Sequence, residues 1–249
     1  MIPRLHVVTD DQILARPDFE TRACEVCEVL ETGEPADEGV VGGPVGASVA
    51  LHLRGPRTTG RRLTRLARIL CGHAAASGVT LLVNDRLDIA LAVKVDGVHL
   101  GSRSIPPTEA RRLLGASRIL GVSVHDPSEA VEAAKSRADY LFLGPLFETP
   151  SHPGVAARGA EFMDGVASRV DLPVVGIGGV TPERVAAVLA FGAHGVAAIR
   201  GIWDAPSPPD AVQAYLDAVE RAIREKADGP GKTSDPVETR NPGEQSDLR

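Results

Sequence analysis

Eight short β-rich runs alternate with helical runs along nearly the whole chain, and this alternation is the strongest constraint on its fold. The predicted strands are 5–9, 47–53, 80–84, 97–101, 118–123, 140–144, 174–177 and 195–199. Between them, apolar residues fall at helical spacing over 61–77, 86–93, 108–114, 127–136, 160–170 and 182–191. Strands separated by helices pair in parallel through right-handed crossovers. Eight of them in 249 residues predict a single-domain α/β fold, a closed (β/α)8 TIM barrel. An open doubly wound sheet is the alternative. The chain is 43% hydrophobic but only 3% aromatic, so Val, Leu, Ile and Ala must fill the core. Parallel strands covered by helices on both faces suit that composition.

The barrel is expected over 1–225, with a Gly-, Pro- and acid-rich loop insertion at 31–46. Residues 226–249 are charged, rich in Gly and Pro, and nearly free of apolar side chains. Such a segment cannot bury enough surface to offset its ordering entropy, and a disordered tail is expected. The formal net charge of −6 gives no reason to expect nucleic acid or an anionic membrane as partner. No apolar run reaches bilayer-spanning length, and the stretch after Met1-Ile-Pro-Arg is too short for a signal peptide. A cytoplasmic location is expected, and a homo-oligomer stays open. Three cysteines make no disulfide framework. Cys24 and Cys27 form a CxxC inside an amphipathic helical pattern with no second ligand pair at matching spacing. Both read as small packing residues, and no structural zinc is expected.

In a barrel, function collects where strands end at their carboxyl side. Those positions hold Asp10, Arg54, Asn84 and Asp85, Ser102, His125, Thr149 to His152, Gly178 and Gly179, and Arg200. Around Gly176-Ile-Gly-Gly-Val-Thr-Pro-Glu a strand passes through a glycine pair into a helix start, with Thr181 as N-cap and Pro182 at the first helical position. The next unit ends in Ile199-Arg200-Gly201. Loops after the seventh and eighth strands are the usual barrel phosphate site, although tight turns also need glycine. The 144–154 segment offers Thr149, Ser151 and His152 as hydrogen-bonding groups, or is a plain surface loop. Asp85 either contributes to a magnesium site or caps the next helix. His99 reads as a satisfied core histidine. His125 closes the fifth strand, where an imidazole can transfer protons near neutrality or merely open the following helix.

Several motifs in order carry a family resemblance from Leu5 to about Arg224. They are Val7-Val-Thr-Asp, Leu51-His-Leu-Arg, Leu82-Val-Asn-Asp-Arg-Leu-Asp, Asp96-Gly-Val-His-Leu-Gly, Gly121-Val-Ser-Val-His, Asp139-Tyr-Leu-Phe-Leu-Gly-Pro-Leu-Phe-Glu-Thr and Val175-Gly-Ile-Gly-Gly-Val-Thr. The chain resembles the thiamine phosphate synthase/TenI family. The resemblance implies a (β/α)8 barrel that binds a phosphorylated thiazole, a small molecule, at Gly178, Gly179, Ile199 and Arg200. Synthases of the family join hydroxymethylpyrimidine diphosphate to thiazole phosphate and use magnesium held by two aspartates. Asp85 matches the first aspartate, but Ser104 stands in place of the second. The synthase pattern Gln-Leu-Arg-Glu-Lys reads His52-Leu53-Arg54-Gly55-Pro56, keeping the arginine and losing the lysine. The lysine of the Thr-x-Thr-Lys loop is replaced by His152.

These departures favour the family's other branch as the expected activity. A TenI-like thiazole tautomerase, an isomerase, shifts a proton to aromatise a carboxythiazole phosphate, and Ser123-Val124-His125 matches its histidine motif. On that expectation His125 is the proton shuttle, no metal is bound and no cofactor is needed. Arg54, Asn84, Ser123, Thr149, Ser151, His152, Gly178, Gly179, Ile199 and Arg200 then hold the substrate. A thiamine phosphate synthase, with magnesium as its only cofactor, is the alternative. A non-catalytic barrel that binds thiazole phosphate is the second.

Overall fold

The computed structural model describes residues 1–32, 48–149, 154 and 157–228. Eight strands run in sequence order: β1 (Leu5–Val8), β2 (Val49–Leu53), β3 (Thr80–Asn84), β4 (Gly97–Leu100), β5 (Ile119–Val124), β6 (Tyr140–Leu143), β7 (Val174–Ile177) and β8 (Gly195–Ala198). Every neighbouring pair is parallel, and β1 pairs with β8 to close the ring. The chain is a (β/α)8 TIM barrel. Its strands are buried on both faces, which is why they read as apolar runs rather than alternating ones.

Among the described residues, ten helices surround the ring: α1 (Asp11–Leu14), α2 (Phe19–Thr32), α3 (Gly60–Ser77), α4 (Leu87–Val93), α5 (Pro107–Leu114), α6 (Pro127–Lys135), α7 (Phe162–Ala167), α8 (Pro182–Ala190), α9 (Arg200–Trp203) and α10 (Pro208–Asp228). Sequence reading missed α1, α9 and α10. The first two are single turns with no periodicity to detect. The third buries Val212, Tyr215, Leu216, Val219 and Ala222, a 3–4 spacing that was legible, and packs on α8 and α2. It runs three residues past the expected boundary at 225, and α2 takes the first two residues of the expected insertion. The rest of that insertion and tail residues 229–249 lie outside the described residues. Cys27 is buried on α2, and burial pushes its thiol up to about 11, so it packs rather than reacts. Among the described residues, no helix is long and apolar enough to cross a membrane.

Two apolar layers result. One lies between strands and helices; the other fills the lumen with Val8, Ala50, Leu82, Tyr140, Phe142, Val175 and Ala197. Three imidazoles join the lumen, His6, His52 and His99, each at most 1% exposed. Their rings pack with Tyr140 and Phe142 at centroid distances from 4.2 Å (His99 and Phe142) to 6.5 Å (His52 and Tyr140). Gly121 makes room for this stack, since a Cβ there would lie 2.1 Å from the Tyr140 ring.

Burial holds all three imidazoles neutral, with His52 lowered to about 4 and His6 and His99 well below their ordinary 6.5. The unfolded chain protonates near 6.5 while the folded one resists, so stability is complete above pH 6.5 and falls as pH drops toward 4. Each imidazole costs about 1.4 kcal/mol per pH unit below 6.5. Urea denaturation at pH 7.5 and 5.5 should show a loss of about 4 kcal/mol from the three together. Equal stability at the two values contradicts the neutral lumen.

Candidate active site

The carboxyl ends of the strands form one rim, and polar side chains gather there. After β3 the backbone turns through a left-handed residue, Asp85, at φ 64°. Aspartate tolerates this region better than most side chains. The turn aims its carboxylate across to the β4 loop, where Oδ1 accepts from Gly101 N at 2.9 Å and from the Ser104 hydroxyl. Asp85 is therefore not a helix cap; Arg86 occupies the N-cap of α4. The residue that replaces the expected second aspartate touches the first. A carboxylate and a hydroxyl are hard oxygen donors, and magnesium is commonly held by one or two carboxylates plus substrate phosphates. This pair fits such a site with one carboxylate, provided a phosphorylated ligand supplies further oxygens.

Arg54 follows β2. Thr9 pins its backbone: Arg54 N donates to Thr9 Oγ1 at 2.9 Å, and the hydroxyl reaches the Arg54 carbonyl at 3.0 Å. Its charge helps keep His99 neutral, and it forms no ion pair with a described carboxylate. The guanidinium is thus free to meet an anion. Ser123 ends a second polar chain, with His99 Nδ1 2.9 Å from the Tyr140 hydroxyl and Nε2 2.8 Å from Ser123 Oγ. The buried Tyr140 O–H has no other described acceptor, so it donates to Nδ1 and His99 Nε2–H donates to Ser123. Ser123 keeps its own proton to offer at the barrel mouth. His99 is a satisfied core histidine, as its sequence context predicts.

His125 does not open α6. Asp126 caps that helix, accepting from Ser128 N at 2.8 Å and Glu129 N at 2.9 Å. Glu129 Oε2 instead accepts the His125 backbone N–H at 2.6 Å and stands 3.1 Å from its Nδ1. Nδ1 is thereby committed to a carboxylate, and the side chain is 45% exposed.

The loops after β6 and β7 lie against each other. Leu146 N donates to Ile177 O and Phe147 N to Gly178 O, at 3.0 and 2.9 Å. Gly178 and Gly179 carry φ of 97° and 63°, and a Cβ on Gly179 would stand 2.4 Å from the Glu148 carbonyl. Conformation and close approach both demand glycine here. Thr181 takes the N-cap of α8 without a side-chain cap bond, and Pro182 starts the helix. Thr149 is half-buried at the described end of the β6 loop. Ser151 and His152 lie outside the described residues. Ile199 is the N-cap of α9. Arg200 turns toward the β1 loop, donating from Nη2 to Gln12 Oε1 at 2.7 Å and to Asp10 Oδ2 at 3.1 Å. Its Nε is buried without a partner among the described residues. Asp10 also caps α1 through Ile13 N, so one carboxylate ties the first and last units together.

The thiamine monophosphate synthase family profile matches residues 38–202. The chain belongs to the thiamine phosphate synthase/TenI family. It is 43% identical over 173 residues to the thiamine-phosphate synthase of Roseiflexus castenholzii, covering 69% of this chain and 76% of that protein. The thiamine-phosphate synthase of Moorella thermoacetica is 39% identical over 194 residues, 78% of this chain and 92% of that one. The structure of thiamine phosphate pyrophosphorylase from Pyrococcus furiosus superposes with a TM-score of 0.70 at 29% identity, covering 88% of this chain and 96% of that one.

These findings correct the expected activity. Relatives at about 40% identity are synthases, so the tautomerase reading is overturned, and with it the isomerase assignment and the role of His125 as its proton shuttle. The family places the chain among enzymes of thiamine biosynthesis. Ser104, which replaces the second aspartate, keeps an oxygen beside Asp85. His6 and the contact of His52 with Asn84 were not evident in the sequence. Their alternation along inward-facing strand positions was the available signal.

The glycine pair yields a direct test. Gly179→Ala should destabilise the barrel by about 1–2 kcal/mol through its left-handed φ alone. The clash with Glu148 adds to that, and inorganic phosphate should bind more weakly. Thermal melts with and without phosphate check both; a fully stable variant contradicts the geometry.

Proposed function

We propose that this protein is a thiamine phosphate synthase, a transferase that joins hydroxymethylpyrimidine diphosphate to thiazole phosphate with departure of diphosphate. The observation that carries the proposal is the match to named thiamine-phosphate synthases at 39–43% identity over most of their length. The retained Arg54, Asn84 and Asp85 at the rim support it.

In this reading Arg54 meets the diphosphate, and no described carboxylate pairs with its charge. Asp85 and Ser104 would hold magnesium together with diphosphate oxygens. Magnesium, when bound, neutralises charge on the departing diphosphate. The backbone of Gly178, Gly179 and Ile199 receives the thiazole phosphate at the usual barrel position. Arg200 acts on that site by fixing the α9 turn against Asp10 and Gln12. Ser123 offers a donor and Asn84 a carboxamide to the pyrimidine, and Thr149 stands at the described end of the β6 loop. Small phosphorylated molecules are the partners this chemistry requires.

With one metal carboxylate and no lysine at positions 56 and 152, the site depends strongly on magnesium. Purified protein given both substrates should form thiamine phosphate only when magnesium is added. Asp85→Asn should raise the magnesium needed for half-maximal rate by about 10–100-fold, the range seen when supporting groups of a metal site are removed. Ser104→Asp should lower it. Absence of product at every magnesium concentration overturns the proposal.

A further inference from the structure

A hydrogen-bond chain crosses the lumen from the barrel floor to its mouth. Below β1, the Pro3 carbonyl lies 3.1 Å from His6 Nε2. His6 Nδ1 is 2.9 Å from His52 Nε2, and His52 Nδ1 is 3.2 Å from the carboxamide atom of Asn84 placed as Oδ1. His6 and His52 are fully buried and Asn84 is 7% exposed. Neither His6 nor His52 touches bulk solvent, and each ring nitrogen already has a partner within the chain, so the protons balance there.

They do not balance with Asn84 in that orientation. Three contacts need three protons, and two neutral imidazoles carry two. Pro3 O only accepts, and an amide oxygen only accepts. One contact would then set lone pair against lone pair. Protonating a ring would repair it, but burial opposes a charge at either site, and at His6 the neighbouring imidazoles oppose it further. Turning the carboxamide over supplies the third proton as Nδ2–H with the same heavy-atom positions. Every link is then satisfied in one direction: Asn84 to His52, His52 to His6, His6 to Pro3.

We infer that His52 is a positioning residue: it accepts from Asn84 Nδ2 and donates to His6, which turns the Asn84 amide oxygen toward the barrel mouth. A ligand group meeting Asn84 there must be a hydrogen-bond donor, such as an amino group on a heteroaromatic ring. The chain also assigns His6 and His52 as Nε2–H tautomers. A glutamine at position 52 can play the same part, accepting through its oxygen and donating through its nitrogen. Leucine fills similar space but can do neither, and it frees the carboxamide to turn back.

Nitrogen-15 NMR of the histidine rings in the unmodified protein at pH 7 tests the proton arrangement directly, with His52→Gln assigning the His52 signals. The expected result is a protonated Nε2 and a bare Nδ1 on both His6 and His52. A protonated Nδ1 on either ring, or a doubly protonated ring, overturns the inference. The functional consequence rests on the synthase reading and uses hydroxymethylpyrimidine diphosphate as probe. His52→Leu should raise its KM about tenfold, the equivalent of one misdirected hydrogen bond. The KM for thiazole phosphate should stay within about twofold, since ordinary context effects are of that size. His52→Gln should bring the pyrimidine KM back to within about threefold of the parent. A leucine variant with the parent's pyrimidine KM, or equal rises for both substrates, counts against the positioning role. If the parent forms no thiamine phosphate, the synthase reading alone fails, and the nitrogen spectrum still decides the tautomers.

Discussion

Closing eight parallel strands into a ring creates a lumen that water cannot reach, and the rest of the structure depends on how that lumen is filled. Here the filling includes three imidazoles, a phenol and a carboxamide. Each unpaired polar group in such a place costs on the order of 1–3 kcal/mol. The barrel avoids that cost with two chains, Pro3–His6–His52–Asn84 and Tyr140–His99–Ser123. Both begin deep in the lumen and end at the mouth. Core satisfaction and site chemistry are therefore one problem, because the protons that stabilise the interior set which atoms the rim presents.

The rim follows the same economy. Asp85 reaches across to Gly101 and Ser104 and links the third and fourth units. Asp10 caps its own short helix and binds Arg200, linking the first and eighth. The β6 loop lies against a glycine pair that no larger residue could replace. Among the described residues Arg54 has no carboxylate partner, and an unpaired guanidinium suits a diphosphate. These contacts tie together the loops that follow the strands, so the rim is held between neighbouring units.

Strand number and strand order were legible in the sequence. Apolar runs between helical periodicities mark strands buried on both faces, and polar residues recur where each run ends. The activity was not legible from residue identity, because Ser104 reads as a lost aspartate and positions 56 and 152 as lost lysines. In the fold the serine sits on Asp85, and His52 can pass a hydrogen bond along as a glutamine would. Helix α10 was missed for a different reason: its apolar spacing lies almost wholly inside the expected barrel, yet no helix was read after 191.

The sequence by itself determined the barrel and the family, because both rest on local pattern: period, apolar content and ordered motifs. Only the tertiary structure decided which polar residues face one another across the lumen. His6 and His52 are 46 positions apart, and His52 and Asn84 are 32 apart. No local rule relates them, and their contact follows from ring closure, which turns alternate residues of distant strands inward to the same few ångströms. Proton balance in that space is a property of the assembled set, so the orientation of Asn84 exists only once the ring has closed.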